Sequence, residues 1–460
     1  MIPIPLKKLA QVTEGIPYKI NDHQWTNLLI NTVTTNSRYQ PINSLFIALK
    51  GEHFDGHNFV KEAINSGAIA LLVDHPLTIS CPQVIVEDTR LAMGKLAAWV
   101  RSQSKAKIIG LTGSSGKTSV KEMTATILSN YEKTVFTDDN FNNDIGVALT
   151  LFHLTIEHKY AVIEIGANNV NEVKYASNIV KPDTALINNL FASHLEGFIS
   201  LSGVAKAKGE IFYGLAKTGT AIINLASNDW KNWKFSFNQQ QTIWYFSIVK
   251  QHKANFYAEN IFTRLTGIEF DLHTPIGVIS ILLPLLGKHN IANALAASAL
   301  AISVGATLEQ VSFGLTHVKP ISGRLYPINL DHSKLILDDT YNANIGSMIA
   351  AANVLSQMPG HRILVVGDMT ELGDKTDIYH RKIGKKIQQM NFDRVFSIGQ
   401  KSSIISKYSG YGEHFISKKE LVAKLISLIN KNKIISVLVK GSHNTEMKEI
   451  ILSLKERFLC

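Results

Sequence analysis

The sequence holds 460 residues, 45% hydrophobic and 18% charged, with a formal net charge of +10; the length suits about three domains, and the composition is ordinary for a soluble globular protein. Its longest uncharged apolar run, IGVISILLPLLG, falls short of the about 20 residues that span a bilayer, the N-terminus MIPIPLKKLAQ lacks a signal-peptide layout, and Cys81 and Cys460 alone make no disulfide framework. A cytoplasmic enzyme is therefore expected, and the positive balance favours anionic ligands such as nucleotides over nucleic acid, because the lysines are scattered and not interleaved with aromatics.

Residues 1–104 read as a first α/β unit. SLFIALKG, AIALLVDH and PQVIVED are short apolar runs typical of strands, and GHNFVKEAINSGA and TRLAMGKLAAWVRSQ carry a helical period. Two polar clusters, TTNSR at 34–38 and KGEHFDGHNF at 50–59, read on residue type alone as ordinary loops.

Residues 105–318 form a second unit around GLTGSSGKTS, residues 110–119. AKIIGLTG predicts a buried strand and KTSVKEMTATILSN a helix. The glycine-rich turn between them points backbone N–H groups into a concavity at a helix N-terminus, which suits phosphate. Gly113, Ser114, Ser115, Gly116 and Ser119 are expected around the phosphates, with Lys117 on the β- and γ-phosphates and the Thr118 hydroxyl on magnesium. The usual spacing has glycine at position 111, where this chain has Leu111.

KTVFTDDN, YAVIEIGA, DTALINNL and GTAIINL continue the alternation, which predicts a mainly parallel sheet with ligands at the carboxyl ends of its strands. Asn140, Asn142 and Asn143 follow one such end, Glu164 closes another, and Ser193, His194, Leu195 and Glu196 follow a third. FYAENIF, TGIEFDLH and GVISILLPL alternate as an antiparallel flank. GKHNIANALAASALAISVGA then supplies a helix with Lys288, His289 and Asn290 in its first turn.

Residues 319–460 repeat the pattern, with KLILDDTY, HRILVVGDM, DRVFSIG and ISVLVKG as strands and NTEMKEIILSLKERF as a closing helix. PISGRLYP at 320–327 reads as a hinge. Asp338 and Asp339 end a strand, with Asn342 and Asn344 in the following loop. Arg324 would reach an ATP phosphate if this unit folds over the one before it.

A carboxylate at Glu164, one strand beyond the phosphate loop, can hold the magnesium that Thr118 also touches, since that ion takes a few hard oxygens besides substrate phosphates. A solvated strand end accounts for Glu164 equally well on its own. His194 gains weight as a neutral imidazole able to ligate a metal because it follows an apolar strand in the phosphate half of the fold. Lys206 and Lys208 lie two apart on one helix, hence on different faces. An inward lysine near metal would be sensible as a carbamate formed with CO2, and the spacing leaves open whether either points inward.

TTNSR, FIALKGEHFDGHNFV, GLTGSSGKTSVKEM, NFNNDIGVALTL, IEIGAN, NNLFASHLEGFISLSGVAKAKGEIF, GKHNIANALAA, DDTYNANIGSM, VVGDMTELGD and VKGSHNTEM follow one another in this chain. With these motifs in the family's order, the chain resembles the Mur ligase family over nearly its whole length. The resemblance implies three α/β domains, with a central P-loop domain and a Rossmann-like C-terminal one. Residues 1–104 would take the UDP end of a precursor, 105–318 ATP, and 319–460 the acceptor.

Residue by residue, the resemblance implies that Ser37 and Arg38 contact UDP, which overturns the ordinary-loop reading of TTNSR; Asn36 stands where relatives usually have Asp. It places Lys117 and Thr118 on the ATP phosphates and magnesium, Asn143 and Glu164 in the same site, and His194 on a second magnesium. Lys208, in preference to Lys206, matches a carbamylated lysine. Asn290 and Arg324 match ATP contacts, Asp339 a residue near the adenosine, and Asn342 and Asn344 the acceptor's place. Ala148 replaces a common proline.

The activity implied is ATP-dependent ligation in peptidoglycan precursor synthesis. The terminal carboxylate of UDP-N-acetylmuramoyl-tripeptide becomes an acyl phosphate, which the amine of D-alanyl-D-alanine attacks, while two magnesium ions and Lys117 neutralise charge. A monomer is expected. One rival is a family member that adds a single amino acid; its diaminopimelate-adding form carries an Asp-Asn-Pro-Arg motif absent here, where GDMTELGD stands in the corresponding region. The other is a P-loop NTPase switch without ligase chemistry.

Overall fold

Three mainly parallel sheets follow one another along the chain in the computed structural model, which describes residues 1–191, 195–227, 233, 237–390 and 392–459. The first has five strands in the order Ile16–Tyr18, Gln83–Ile85, Ala68–Val73, Ser44–Ile47 and Thr32–Thr34, with only the first pair antiparallel.

The second sheet is fully parallel, in the order Thr242–Phe246, Thr220–Asn224, Thr184–Ile187, Lys107–Thr112, Tyr160–Glu164 and Thr134–Phe136. Lys107–Thr112 is buried from its second residue onward, because helices cover both faces and favour apolar side chains; the one polar side chain in the buried stretch, Thr112, donates to Ile165 O at 2.7 Å. Ile108 points into one core, while Ile109 and Leu111 point into the other. The chain builds two strands to one side of Lys107–Thr112 and three to the other, so the phosphate loop leaves that strand where the order reverses, the usual ligand crevice of such sheets. The expected antiparallel flank is present as Tyr257–Arg264, Gly267–Thr274 and Gly277–Leu283.

The third sheet runs Tyr326–Asn329, Lys334–Asp339, Ile435–Lys440, His361–Val366, Arg394–Ile398 and Gly412–Phe415, parallel except at its first pair. The end of PISGRLYP is therefore strand and not hinge: Tyr326 and Pro327 pair with Asp338 and Leu337. Proline is tolerated there because Tyr326–Asn329 is an edge strand.

The first unit has a small core of its own, from Phe46 to Cys81, on one face of its sheet and shares its other core with the second unit. One buried cluster runs from Ile2 to Trp233 and joins helix Thr89–Gln103 to helices Asp144–Phe152 and Glu172–Val180 of the second unit. Arg90 fixes this seam through a two-pronged ion pair with Asp144, its Nη2 lying 2.6 Å from Oδ1. Among the described residues no helix is long and apolar enough to cross a membrane.

Candidate active site

Helix Lys117–Ser129 starts directly after the glycine-rich turn, and Gly116 takes φ 73°. A Cβ at Gly116 would approach Asn293 Oδ1 to 2.6 Å and Asn188 Nδ2 to 2.7 Å, so the position needs glycine for both its backbone and its surroundings. Those asparagines hold the turn. Asn188 Nδ2 donates to Ser115 O (3.1 Å) and Asn293 Oδ1 (3.0 Å), while Asn189 Oδ1 accepts from Ser115 N at 2.9 Å. Sequence reasoning missed all three residues; the paired asparagines ending DTALINNL were the available signal.

Lys117 Nζ folds back to donate to Gly113 O at 3.0 Å. Enclosure by protein lowers its pKa, a shift that Glu164 opposes and Arg324 reinforces. Among the described residues no carboxylate forms an ion pair with this ammonium, Glu164 acting only at longer range, and a polyphosphate would supply a close counter-charge.

Glu164 ends its strand with only 1% of its surface exposed. Its backbone N–H donates to Thr137 Oγ1 (2.9 Å) and its Oε1 accepts from Asn142 Nδ2 (2.7 Å). Among the described residues its buried Oε2 has no hydrogen-bond partner, which is costly for a carboxylate unless a cation or donor completes it. A hard divalent cation fits that oxygen. Asn143 behaves differently from the expectation. Its Oδ1 accepts from Gly146 N at 2.8 Å and caps helix Asp144–Phe152, while its neighbour Asn142 lines the cavity.

Lys208 is buried and Lys206 exposed, so of the pair only Lys208 points inward. Its Nζ has a weak contact with Ala167 O at 3.5 Å and lies 5.6 Å from the centre of the Phe198 ring. Burial pushes its pKa down to about 7, with Lys117 adding to the effect. His194 lies outside the described residues.

The third unit closes the cavity from the other side. Arg324 Nη2 donates to Thr118 Oγ1 at 2.9 Å, with its guanidinium 4.1 Å from the centre of the Tyr341 ring. Asp339 accepts from Leu325 N–H at 3.1 Å and pairs with the buried Lys440 at 2.7 Å; Lys440 in turn donates to Asn342 O at 2.9 Å. His289 opens partly onto the cavity, yet surrounding protein pushes its imidazole down to about 4, with Lys440 adding to the effect and Asp339 opposing it. Asn290 is engaged with Leu286 O and Asn293.

The resulting cavity, about 480 Å³, is walled by Ser114, Ser115, Gly116, Lys117, Thr118, Ser119, Glu164, Asn290, Arg324, Asp339, Asn342 and Asn344. Gly113, Asn143 and Lys208 are not in its wall. Asn344 caps helix Ile345–Ser356 through Ser347 N and reaches Ser114 O at 3.3 Å, so its side chain joins the two units. Asn342 Oδ1 accepts from the N–H of Ala343. Ser37 and Arg38 stand outside the wall of this cavity, on the first unit, where Ser37 donates to Glu62 at 2.6 Å and Arg38 Nε lies 3.8 Å from it.

A second grouping, His57, Asp74 and His75, has the spacing of metal ligands. His57 Nε2 already accepts from Asp74 N (3.1 Å), and its Nδ1 lies 2.7 Å from Asp55 Oδ1. Both ring nitrogens are thus used in bracing the loop.

With this geometry in view, three family models match the chain: the Mur ligase family catalytic domain over residues 29–102, the Mur ligase middle domain over 111–301, and the Mur ligase glutamate ligase domain over 323–443. A UDP-N-acetylmuramoyl-tripeptide–D-alanyl-D-alanine ligase of Escherichia coli is 50% identical over the whole of both chains. The Bacillus subtilis protein of that name is 31% identical over 99% of each. A crystal structure of MurF from Acinetobacter baumannii superposes with a TM-score of 0.92 at 36% identity, covering 99% of each chain.

Proposed function

The chain belongs to the Mur ligase family, and from that premise we propose that it joins D-alanyl-D-alanine to UDP-N-acetylmuramoyl-tripeptide as ATP is cleaved to ADP and phosphate. One observation carries the reading: a phosphate loop, the buried Oε2 of Glu164, unpartnered among the described residues, and Arg324 from the third unit all meet at one cavity.

A carboxylate oxygen of the tripeptide attacks the γ-phosphorus and ADP leaves, giving an acyl phosphate. The dipeptide's amine nitrogen then attacks the acyl carbon, loses a proton as the amide forms, and inorganic phosphate departs. Backbone N–H groups of the turn and Lys117 hold the polyphosphate, and Arg324 lies close enough to meet it. Closure of the third unit over the second keeps water from the acyl phosphate. Magnesium held by Glu164 and the Thr118 hydroxyl would neutralise charge on the transferring group.

We assign Asn290 and Asp339 to ATP, the loop of Asn342 and Asn344 to the acceptor, and Ser37 with Arg38 to the UDP end. His194 and a carbamate on Lys208 are assigned to a second magnesium. In forming it, the neutral Nζ bonds to the carbon of CO2 and releases a proton. The buried position of Lys208 and its pKa near neutrality support that assignment. Domain borders at 104/105 and 318/319, a cytoplasmic setting in which ATP and UDP-linked precursors occur, and a monomer whose site needs only one chain complete the proposal.

Phosphate release tests it. UDP-tripeptide and D-alanyl-D-alanine together should release phosphate and either alone should not, with the dipeptide outcompeting diaminopimelate and lysine. Release without acceptor would indicate an NTPase switch, and preference for a single amino acid would indicate a different ligase of the family.

A further inference from the structure

We propose that Lys121 is a positioning residue for the metal-holding carboxylate of Glu164. The inference rests on the ligase reading above but concerns a side chain that reading leaves unused.

Lys121 lies one turn into the phosphate-loop helix and is fully buried. An ammonium at such a place is destabilising unless it is hydrogen-bonded and paired. Here Nζ donates to Thr137 O at 2.6 Å, lies 3.4 Å from Asp139 O and sits 2.9 Å from Glu122 Oε1. Packing alone would be served by an apolar side chain of the same length.

What distinguishes the position is where the bound carbonyls lead. They belong to the segment 137–142, which carries both side-chain partners of Glu164: Thr137 Oγ1 accepts its N–H, and Asn142 Nδ2 donates to its Oε1. The segment bends at Asp139, which takes φ 38°, and its far end is held where Gly166 N donates to Asn142 O at 2.8 Å. Lys121 therefore ties the helix that receives the phosphates to the strap that aims the carboxylate, fixing the separation of the two halves of a metal–nucleotide site. Its loss should weaken the metal more than the nucleotide.

The test uses the full chain with ADP and follows free Mn²⁺ by its electron paramagnetic resonance signal; ADP affinity without metal is measured by calorimetry. Lys121→Met and Thr137→Val should each weaken Mn²⁺ about tenfold, the lower end for residues behind a metal ligand, while metal-free ADP affinity stays within about twofold. Lys121→Arg, which keeps the donors, should recover most of the difference. If Lys121→Met does not fold, Thr137→Val on the same path carries the comparison. Equal Mn²⁺ affinity in wild type and variants, or a parallel loss of Mn²⁺ and ADP, would overturn the role of Lys121 alone. Absence of Mn²⁺ binding by the wild-type ADP complex would overturn the metal assignment beneath it.

Discussion

Arg324 and Thr118 are 206 positions apart in sequence, and the guanidinium of one donates to the hydroxyl of the other at 2.9 Å. The arginine sits between two left-handed residues: Gly323 at φ 75°, which glycine adopts freely, and Leu325 at φ 50°, which is strained. Left-handed geometry at a leucine costs on the order of 1–3 kcal/mol and persists only where neighbours enforce it. Asp339 does so by accepting the Leu325 N–H while Lys440 holds the carboxylate. The arginine thus rests on the hydroxyl that magnesium would share, and a phosphate offers it a stronger, charged partner.

Arg324→Ala should therefore lower kcat/KM by roughly 10²–10³, the scale of losing one donor to developing charge. Arg324→Lys should recover only part, because an ammonium neither forks nor stacks on Tyr341 as the guanidinium does. ADP release in the presence of both substrates measures this, and near-normal turnover of a folded Arg324→Ala protein would remove the residue from the phosphate site.

Adjacent asparagines give a second prediction. Asn142 orients Glu164 and Asn143 caps a helix. Asn142→Ala should raise the magnesium concentration for half-maximal activity about tenfold with little change in melting temperature. Asn143→Ala should lose about 1 kcal/mol of stability, as cap removals do, with an unchanged magnesium requirement. Reversed outcomes in urea melts and magnesium titrations would restore Asn143 to the site.

The sequence could not separate those two because residue type and strand-end placement are the same for both; only the capping geometry differs. Long buried parallel strands such as Lys107–Thr112 were legible because burial on both faces forces an unbroken apolar run. Some edge strands were not, although KTVFTDDN does hold the edge strand Thr134–Phe136. Thr242–Phe246 is only partly buried, and Tyr326–Asn329 contains a proline that makes the stretch read as a hinge. The link from Asn188 to Asn293 was illegible because it spans 105 positions of sequence.

His289 sets a pH limit on stability. Its imidazole is pushed from 6.5 to about 4 in the folded chain, chiefly by burial. Between those values the unfolded chain binds more protons, so stability falls as pH drops through that window. His289→Gln should flatten this acid limb in melts followed from pH 7 to pH 4 without substrates. An unchanged slope would mean that the folded chain protonates His289 freely.

Lys208 shows the same logic at higher pH. Its ammonium is held at about 7 against 10.5 for a free lysine, first by burial and then by Lys117. With CO2 excluded, the unfolded chain carries a proton that the folded one lacks across this interval. Stability should therefore rise with pH from about 7 to 10.5, and Lys208→Met should remove that slope. With bicarbonate present, the neutral amine is the form that reacts with CO2, so the carbamate should grow as pH climbs through about 7 and appear as an added carboxyl in gentle mass spectrometry. Lys208→Ala should lose most activity, and small carboxylic acids should restore part of it by filling the vacated oxygen positions. Lys206→Ala, at an exposed position two residues away, should keep most of its activity. A fully active Lys208→Ala protein would show that the buried amine serves packing alone.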